Sequence, residues 1–278
     1  MVKRSTIWLS LCLFALCASG QFLQHRRTAS RPTPSSSYTY IATAFDSADR
    51  IIHSSDYTSS ADSKLLTISL WFKLSNAAEN GTRRTLYWST AAVFLWEVED
   101  GTHTGSSVNN GMYFVAEDSG FASPLKFVVT SPTFTSGSTW HHFAMSVDMA
   151  DTAKRFVYVD GSAATVTWIN YNNLSLYFTS GGNPSFMAEG DGTSPCTGSL
   201  CEVWLAPGQY LDFSDSANLQ KFRSAGGKPV SLGSDGSTPT GTAPKVYLKN
   251  GFATFQNNLG GGGNFTVTGT LTDDASIP

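Results

Sequence analysis

The sequence predicts an all-β protein: a two-sheet antiparallel β-sandwich of the jelly-roll kind, with one short helix and a Gly/Pro-rich C-terminal extension. Three observations carry that expectation. Charged residues make up only 14% of the chain and aromatics 13%, beside 25 glycines, which is the balance of a strand-rich protein with many turns. Short stretches alternate apolar and polar residues with a period of two. Gly, Asn and Ser punctuate them, as the turns of a sandwich require. A length of 278 residues suits one large all-β unit or two small domains, and one main core is expected.

Residues 1–20 read as an export signal. Lys3 and Arg4 precede an apolar run of 12 residues from Ile7 to Ala18, and Ala18-Ser19-Gly20 supplies small residues for a signal peptidase. The run is too short for a bilayer, which takes about 20 residues. An uncleaved apolar N-terminus is the alternative. Residues 21–37 are polar, basic and broken by Pro32 and Pro34, so they read as a Ser/Thr/Pro-rich linker. From residue 38 onward 13 basic residues face 21 acidic ones, a balance of −8. Such a body argues against nucleic acid as a partner, because phosphates demand clustered Lys and Arg.

The sandwich is expected over residues 38–206. In T-I-S-L-W-F-K-L, residues 67–74, Ile68, Leu70, Phe72 and Leu74 share one face and Thr67, Ser69, Trp71 and Lys73 the other, the pattern of a half-buried strand. Further strands are expected at 84–89, 92–99, 111–116, 125–130, 139–147, 174–178 and 199–205. Residues 155–168 form two β-rich runs joined at Asp160-Gly161, a dipeptide that accepts the positive φ angles of a tight hairpin. Residues 207–278 form the extension. Ser214 is the expected cap of a helix through Arg223, with Leu219 and Phe222 as its apolar pair and Gly226-Gly227 as its stop. Beyond it, Tyr247, Phe252, Phe255, Phe265 and Val267 are available to dock the tail on the sandwich.

S-T-W-H-H-F-A-M-S-V-D, residues 138–148, places two histidines side by side. In an extended strand they diverge: Trp140, His142, Ala144, Ser146 and Asp148 line one face, and His141, Phe143, Met145 and Val147 the other. One ion cannot be shared by both, and a structural hydrogen bond is the expected role of each. Cys12 and Cys17 lie in the signal-like segment. Cys196 and Cys201, separated by T-G-S-L, either form a short disulfide in an oxidising compartment or stay as small buried residues.

Five segments, A-F-D-S-A-D-R-I, T-I-S-L-W-F-K, S-T-W-H-H-F-A-M-S-V-D, F-V-Y-V-D-G and G-S-L-C-E-V-W-L-A-P, occur in order over about residues 40–206. In them the chain resembles the laminin-G-like branch of the concanavalin A-like lectin/glucanase superfamily. The remainder resembles the C-terminal extension of bacteriophage- and prophage-encoded members. That resemblance implies a concanavalin A-like fold and a non-catalytic, surface-displayed structural or glycan-binding module, on a virion or at the cell surface. Its partners would be a glycan, a cell-surface polysaccharide or other virion proteins. An exported bacterial adhesin is the alternative, and a glycoside hydrolase a more remote one.

Glucanases of that superfamily carry Glu-x-Asp-x-Glu on one strand. Here the nearest match is E-V-E-D, residues 97–100, with Gly101 where the third acid belongs, so no catalytic residue is expected. The resemblance implies calcium if any metal, held by Asp148, Glu189 and Asp191, of which the last two lie in the turn E-G-D-G. The bland reading is an acidic surface turn. Sugar rings stack on flat side chains, which makes Trp88, Trp96, Tyr113, Trp168 and Tyr171 the candidate platforms, with Asn109, Asn110, Asn170 and Asn172 as hydrogen bonders. Asn80, Asn173 and Asn264 head glycosylation tripeptides that matter only in a eukaryotic secretory host.

Overall fold

A computed structural model describes residues 38–75, 83–89, 94–100, 108–135, 137, 139–179 and 182–278, with backbone alone at 94–97, 99 and 100. Residues 1–37, and with them the signal-like segment and linker, lie outside the described residues, as does Asn80. Among the described residues no helix is long and apolar enough to cross a membrane.

Two antiparallel sheets face each other. The first contains β1 (Ala42–Phe45), β3 (Leu65–Leu74), β8 (His141–Asp148), β9 (Arg155–Val159), β10 (Ser162–Ala163), β13 (Gly198–Pro207), β14 (Val246–Leu248) and β16 (Thr272–Asp274). Its order is β10-β9-β8-β3-β13-β1-β16, with β14 beside β13. The second is ordered β11-β7-β6-β5-β4-β12-β2-β15. It comprises β2 (Arg50–Ile52), β4 (Arg84–Ser89), β5 (Phe94–Asp100), β6 (Asn109–Ala116), β7 (Leu125–Ser131), β11 (Thr165–Tyr171), β12 (Ser185–Phe186) and β15 (Thr266–Thr268). Alternation builds the core between them. Ile68, Leu70 and Phe72 of β3 and Phe143, Met145 and Val147 of β8 meet Met112 and Phe114 of β6 and Phe127 and Val129 of β7. The expected β-sandwich is the observed fold.

Three expectations need correction. Residues 174–178 form no strand: Leu176 makes one bridge to Ser63, and the Phe178 amide is taken by the Asp62 carboxylate. The Asp160-Gly161 turn forms with φ of 53° and 82°, but its return strand β10 has two residues before the chain crosses to the second sheet as β11. The helix is one turn, α1 (Ser216–Leu219), capped by the Asp215 side chain, while Ser214 folds back onto Asp212. It stops early because the next residues turn to bring Phe222 against Trp204, with ring centroids 5.1 Å apart.

The face of β3 read as solvated is also buried. Thr67, Ser69 and Trp71 are at most 3% exposed, because residues beyond 208 fold over the outside of the first sheet. Leu211, Phe213, Leu219, Phe222, Leu232 and Tyr247 pack there on Ala144, Trp204 and Ala206. Sheet hydroxyls serve the covering chain: Thr67 Oγ1 donates to the Gln209 carbonyl, and Ser146 Oγ accepts from the Leu211 amide. Of the five tail residues expected to dock, Tyr247, Phe255 and Phe265 are buried and Val267 partly so, whereas Phe252 is 43% exposed.

Candidate functional site

The histidines diverge as strand geometry requires. His141 Nδ1 meets Asp160 Oδ2 at 2.8 Å beside Phe72 and Phe134. His142 is fully buried on the opposite face, its ring 4.7 Å from Trp71 and its Nε2 2.9 Å from Ser69 Oγ. Burial, reinforced by the Arg223 charge and opposed by Asp160, pulls its pKa down to about 3, so the imidazole is neutral at physiological pH.

The proposed calcium ligands do not converge. Among the described residues no group of three His, Cys, Asp or Glu side chains could hold a metal ion. Asp148 caps the Ala150 amide and faces Lys154. Asp191 accepts from the Thr193 amide and hydroxyl, the bonds that lower its pKa, and Glu189 accepts from Ser194. These carboxylates cap turns. The disulfide is not formed either: both thiols are free and buried. Cys196 packs in the inter-sheet core, whereas Cys201 packs outside the first sheet with Ala42 and Trp71.

The aromatic candidates divide into separate places. Trp88 is half-buried under the turn after Ala188, where a Cβ on Gly190 would lie 2.5 Å from its ring. Tyr113 is 4% exposed, with the Lys126 ammonium 5.4 Å from its ring centre. Trp96 pairs Phe114 in β5–β6 register, and its side chain lies outside the described residues, as do those of Glu97, Glu99 and Asp100. Two of the asparagine amides are partly engaged: Asn110 Oδ1 accepts from Arg84 and Asn170 Nδ2 donates to the Ser123 carbonyl.

Trp168 and Tyr171 come together. Both lie on β11, at the sandwich edge where the chain has just crossed from the first sheet, with ring centroids 5.6 Å apart at 86°. Trp168 leans on Phe127 at 4.9 Å, and the Tyr171 hydroxyl donates to the Asp148 carbonyl at 2.9 Å. Burial, with the nearby Asp148, raises the Tyr171 pKa, so the hydroxyl stays protonated. Arg155 of β9 lies against both rings, its guanidinium carbon 4.9 Å from the Trp168 centre and 5.2 Å from that of Tyr171. It makes no side-chain hydrogen bond or ion pair among the described residues, which leaves its N–H donors unspent. A cleft of about 220 Å³ opens beside them, lined by Arg155, Tyr158, Ala164, Val166 and Trp168. Drug-sized ligands occupy roughly 300 Å³ or more, so this cleft suits one ring of a longer chain.

Glu202 is a perturbed group that the sequence reading missed, although an acid inside the apolar strand L-C-E-V-W-L was its visible signal. It sits in a bulge of β13 with φ of 49° and is 3% exposed. Tyr38 donates to its Oε1 at 2.5 Å and Tyr247 to its Oε2 at 2.9 Å. Burial pushes the carboxyl up to about 7, against the lowering effect of both hydroxyls and Lys249. With both oxygens engaged, it joins Tyr38 to the C-terminal segment.

A stability change follows from that shift. Between the ordinary value of 4.5 and about 7 the folded chain holds a proton that the unfolded chain has lost. The contribution is therefore complete below about pH 4.5 and disappears as pH rises through about 7, a change on the order of 3 kcal/mol. Urea unfolding of wild type and Glu202→Gln at pH 4.5, 6 and 8 is expected to give a stability difference that shifts by this amount in the variant's favour.

A family model described as the Concanavalin A-like lectin/glucanases superfamily, Laminin_G_3, matches residues 45–208, more than half of the chain. No curated protein matches in sequence. Among solved structures, a candidate carbohydrate-binding protein from Bacteroides ovatus superposes with a TM-score of 0.58 at 17% identity. That match covers 86% of this chain and 62% of the other, so the chain spans less than two thirds of that relative. A heptameric SAP-like pentraxin from Limulus polyphemus (TM-score 0.45, 9% identity) covers 84% of this chain and 94% of its own. Domains LG4-5 of mouse laminin alpha1 (0.41, 13%) cover 63% and 44%. At these identities the likeness is one of fold, and for the last two it carries no argument. By its family match and its two facing sheets, the chain belongs to the concanavalin A-like lectin/glucanase superfamily.

Proposed function

We propose that the chain is a non-catalytic carbohydrate-binding module, displayed on a virion or cell surface, and that it takes a glycan at the β9–β11 edge. One observation carries the reading: a cation held against two aromatic rings, with unspent N–H donors, at the mouth of a cleft sized for a single ring. Trp168 and Val166 offer apolar surface to the C–H face of a sugar, and Arg155 offers donors to its hydroxyls. Membership of a superfamily that includes lectins supports the reading, as does the fold shared with the Bacteroides ovatus protein.

A glycan array probed with residues 38–278 tests it. Trp168→Ala is expected to weaken any binding at least 10-fold, while Trp88→Ala leaves it unchanged. Binding indifferent to Trp168 would move the site elsewhere, and a silent array would leave a structural role alone. Release of reducing sugar from a bound polysaccharide would overturn the non-catalytic part.

For the source, the phage-like C-terminal segment favours a virion attachment or structural protein. The apolar run Ile7–Ala18 favours the second reading, an exported adhesin. Mass spectrometry separates them: an intact Met1 in purified particles supports the first, and an N-terminus at Gln21 the second.

A further inference from the structure

A second unspent guanidinium lies on the other side of the first sheet. Arg223 follows α1 and sits over Trp71, its guanidinium carbon 5.9 Å from the ring centre. Two glycines make room for it. A Cβ on Gly161, in the β9–β10 turn, would lie 2.9 Å from Nη1, and one on Gly227 would lie 2.9 Å from Nη2. The group is thus held from two sides by backbone without being bonded by it. Among the described residues its side chain makes no hydrogen bond or ion pair, and its Nε is buried without an acceptor. Trp71 Nε1, under the same guanidinium, is a second buried donor without an acceptor.

The acid that Arg223 senses, Asp160, is already committed. Its Oδ2 meets His141 Nδ1 and its Oδ1 accepts from the His142 amide. A part-buried cation with no direct counter-charge is costly unless something else supplies one. Arg223 also lines a pocket of about 160 Å³ with Gly161, Ser216, Gln220 and Ser224. The side chains of Ser216 and Gln220 form no hydrogen bond among the described residues and are free to donate.

We infer that this pocket is an oxyanion site, in which Arg223 pairs with a carboxylate or sulfate group and Ser216 and Gln220 complete its hydrogen bonds. A planar guanidinium fixed between two turns is preorganised for such a group, because its fork matches two oxygens at once. The site is separate from the Trp168 edge and does not depend on the glycan reading.

The test follows the arginine Nε–H signals of ¹⁵N-labelled protein by NMR. Sodium sulfate and sodium acetate are titrated in separate arms, each against sodium chloride at equal ionic strength. A saturable shift of one Nε–H signal is expected, missing in Arg223→Gln. Saturation in the sulfate arm alone assigns sulfate as the ligand group, and in the acetate arm alone a carboxylate. Gln220→Glu, at an exposed position that does not endanger folding, places an internal carboxylate at the pocket wall and is expected to weaken anion binding at least 10-fold. Shifts no larger than those in chloride, or full affinity retained in Gln220→Glu, would overturn the assignment.

Discussion

A fragment ending at Gly208, where the family match stops, is expected not to fold cooperatively, although a fragment of residues 38–278 is. Contacts divide the chain at Ser37, and Tyr38–Pro278 form one compact unit. Removing residues 209–278 would strip β14 from β13, β15 from β2 and β16 from β1, and so damage both sheets. It would expose Trp204, whose Nε1 donates to the Gly236 carbonyl, along with the outer face that Phe213, Phe222 and Tyr247 cover. Val246, Leu248, Phe255 and Phe265 would leave the main core as well. At about 1.5–3 kcal/mol for each large buried side chain, the loss exceeds the roughly 5–15 kcal/mol by which domains are stable. Circular dichroism and size exclusion of the two fragments would decide the matter. A soluble 38–208 fragment with a sharp urea transition would show the matched region to be autonomous.

Gly198→Ala is expected to cost about 3 kcal/mol or more, from a single methyl group. Gly198 opens β13 between two partners, opposite Leu74 of β3 and Phe45 of β1. A Cβ there would run into the Lys73 carbonyl oxygen, which is backbone and has nowhere to go. Its surroundings are pinned, since Asp274 takes both the Lys73 ammonium and the Ser199 hydroxyl. Gly137→Ala is the control: a Cβ there meets nothing within 4 Å, and the change should stay within about 0.5 kcal/mol. Denaturant midpoints of the two variants against wild type give the comparison.

Local signals in the sequence were reliable where one strand decides its own structure. Residues 84–89 form β4 as expected, and the Asp160-Gly161 turn has the φ angles its composition asks for. The opposed faces of Trp140–Asp148 follow from alternation alone. What could not be read depends on chain far away. His142 and Trp71 look like residues of a solvated face until the segment carrying Arg223 covers them. β1, β2, β12, β14, β15 and β16 have two to four residues each, too short for a pattern to register. The candidate site was half legible. Aromatic content flagged Trp168 and Tyr171 but could not separate them from Trp88 and Tyr113. The crossover after Ala163, which brings β11 next to Arg155, is a tertiary fact.

The seam between β1 and β16 has a mechanical consequence. Ala42, where β1 begins, lies opposite Asp274, where β16 ends, so Tyr38 and Pro278 lie beyond the same end of that antiparallel pair, held there by side-chain bonds from Tyr38 to Glu202 and from Tyr40 and Lys228 to the Pro278 carbonyl. Tension applied through these two points would peel the ladder one rung at a time instead of shearing all its rungs together. Pulled from its ends, the domain should yield at low force, whereas a load entering through the β9–β11 edge and leaving through Tyr38 would meet more of the sheet at once.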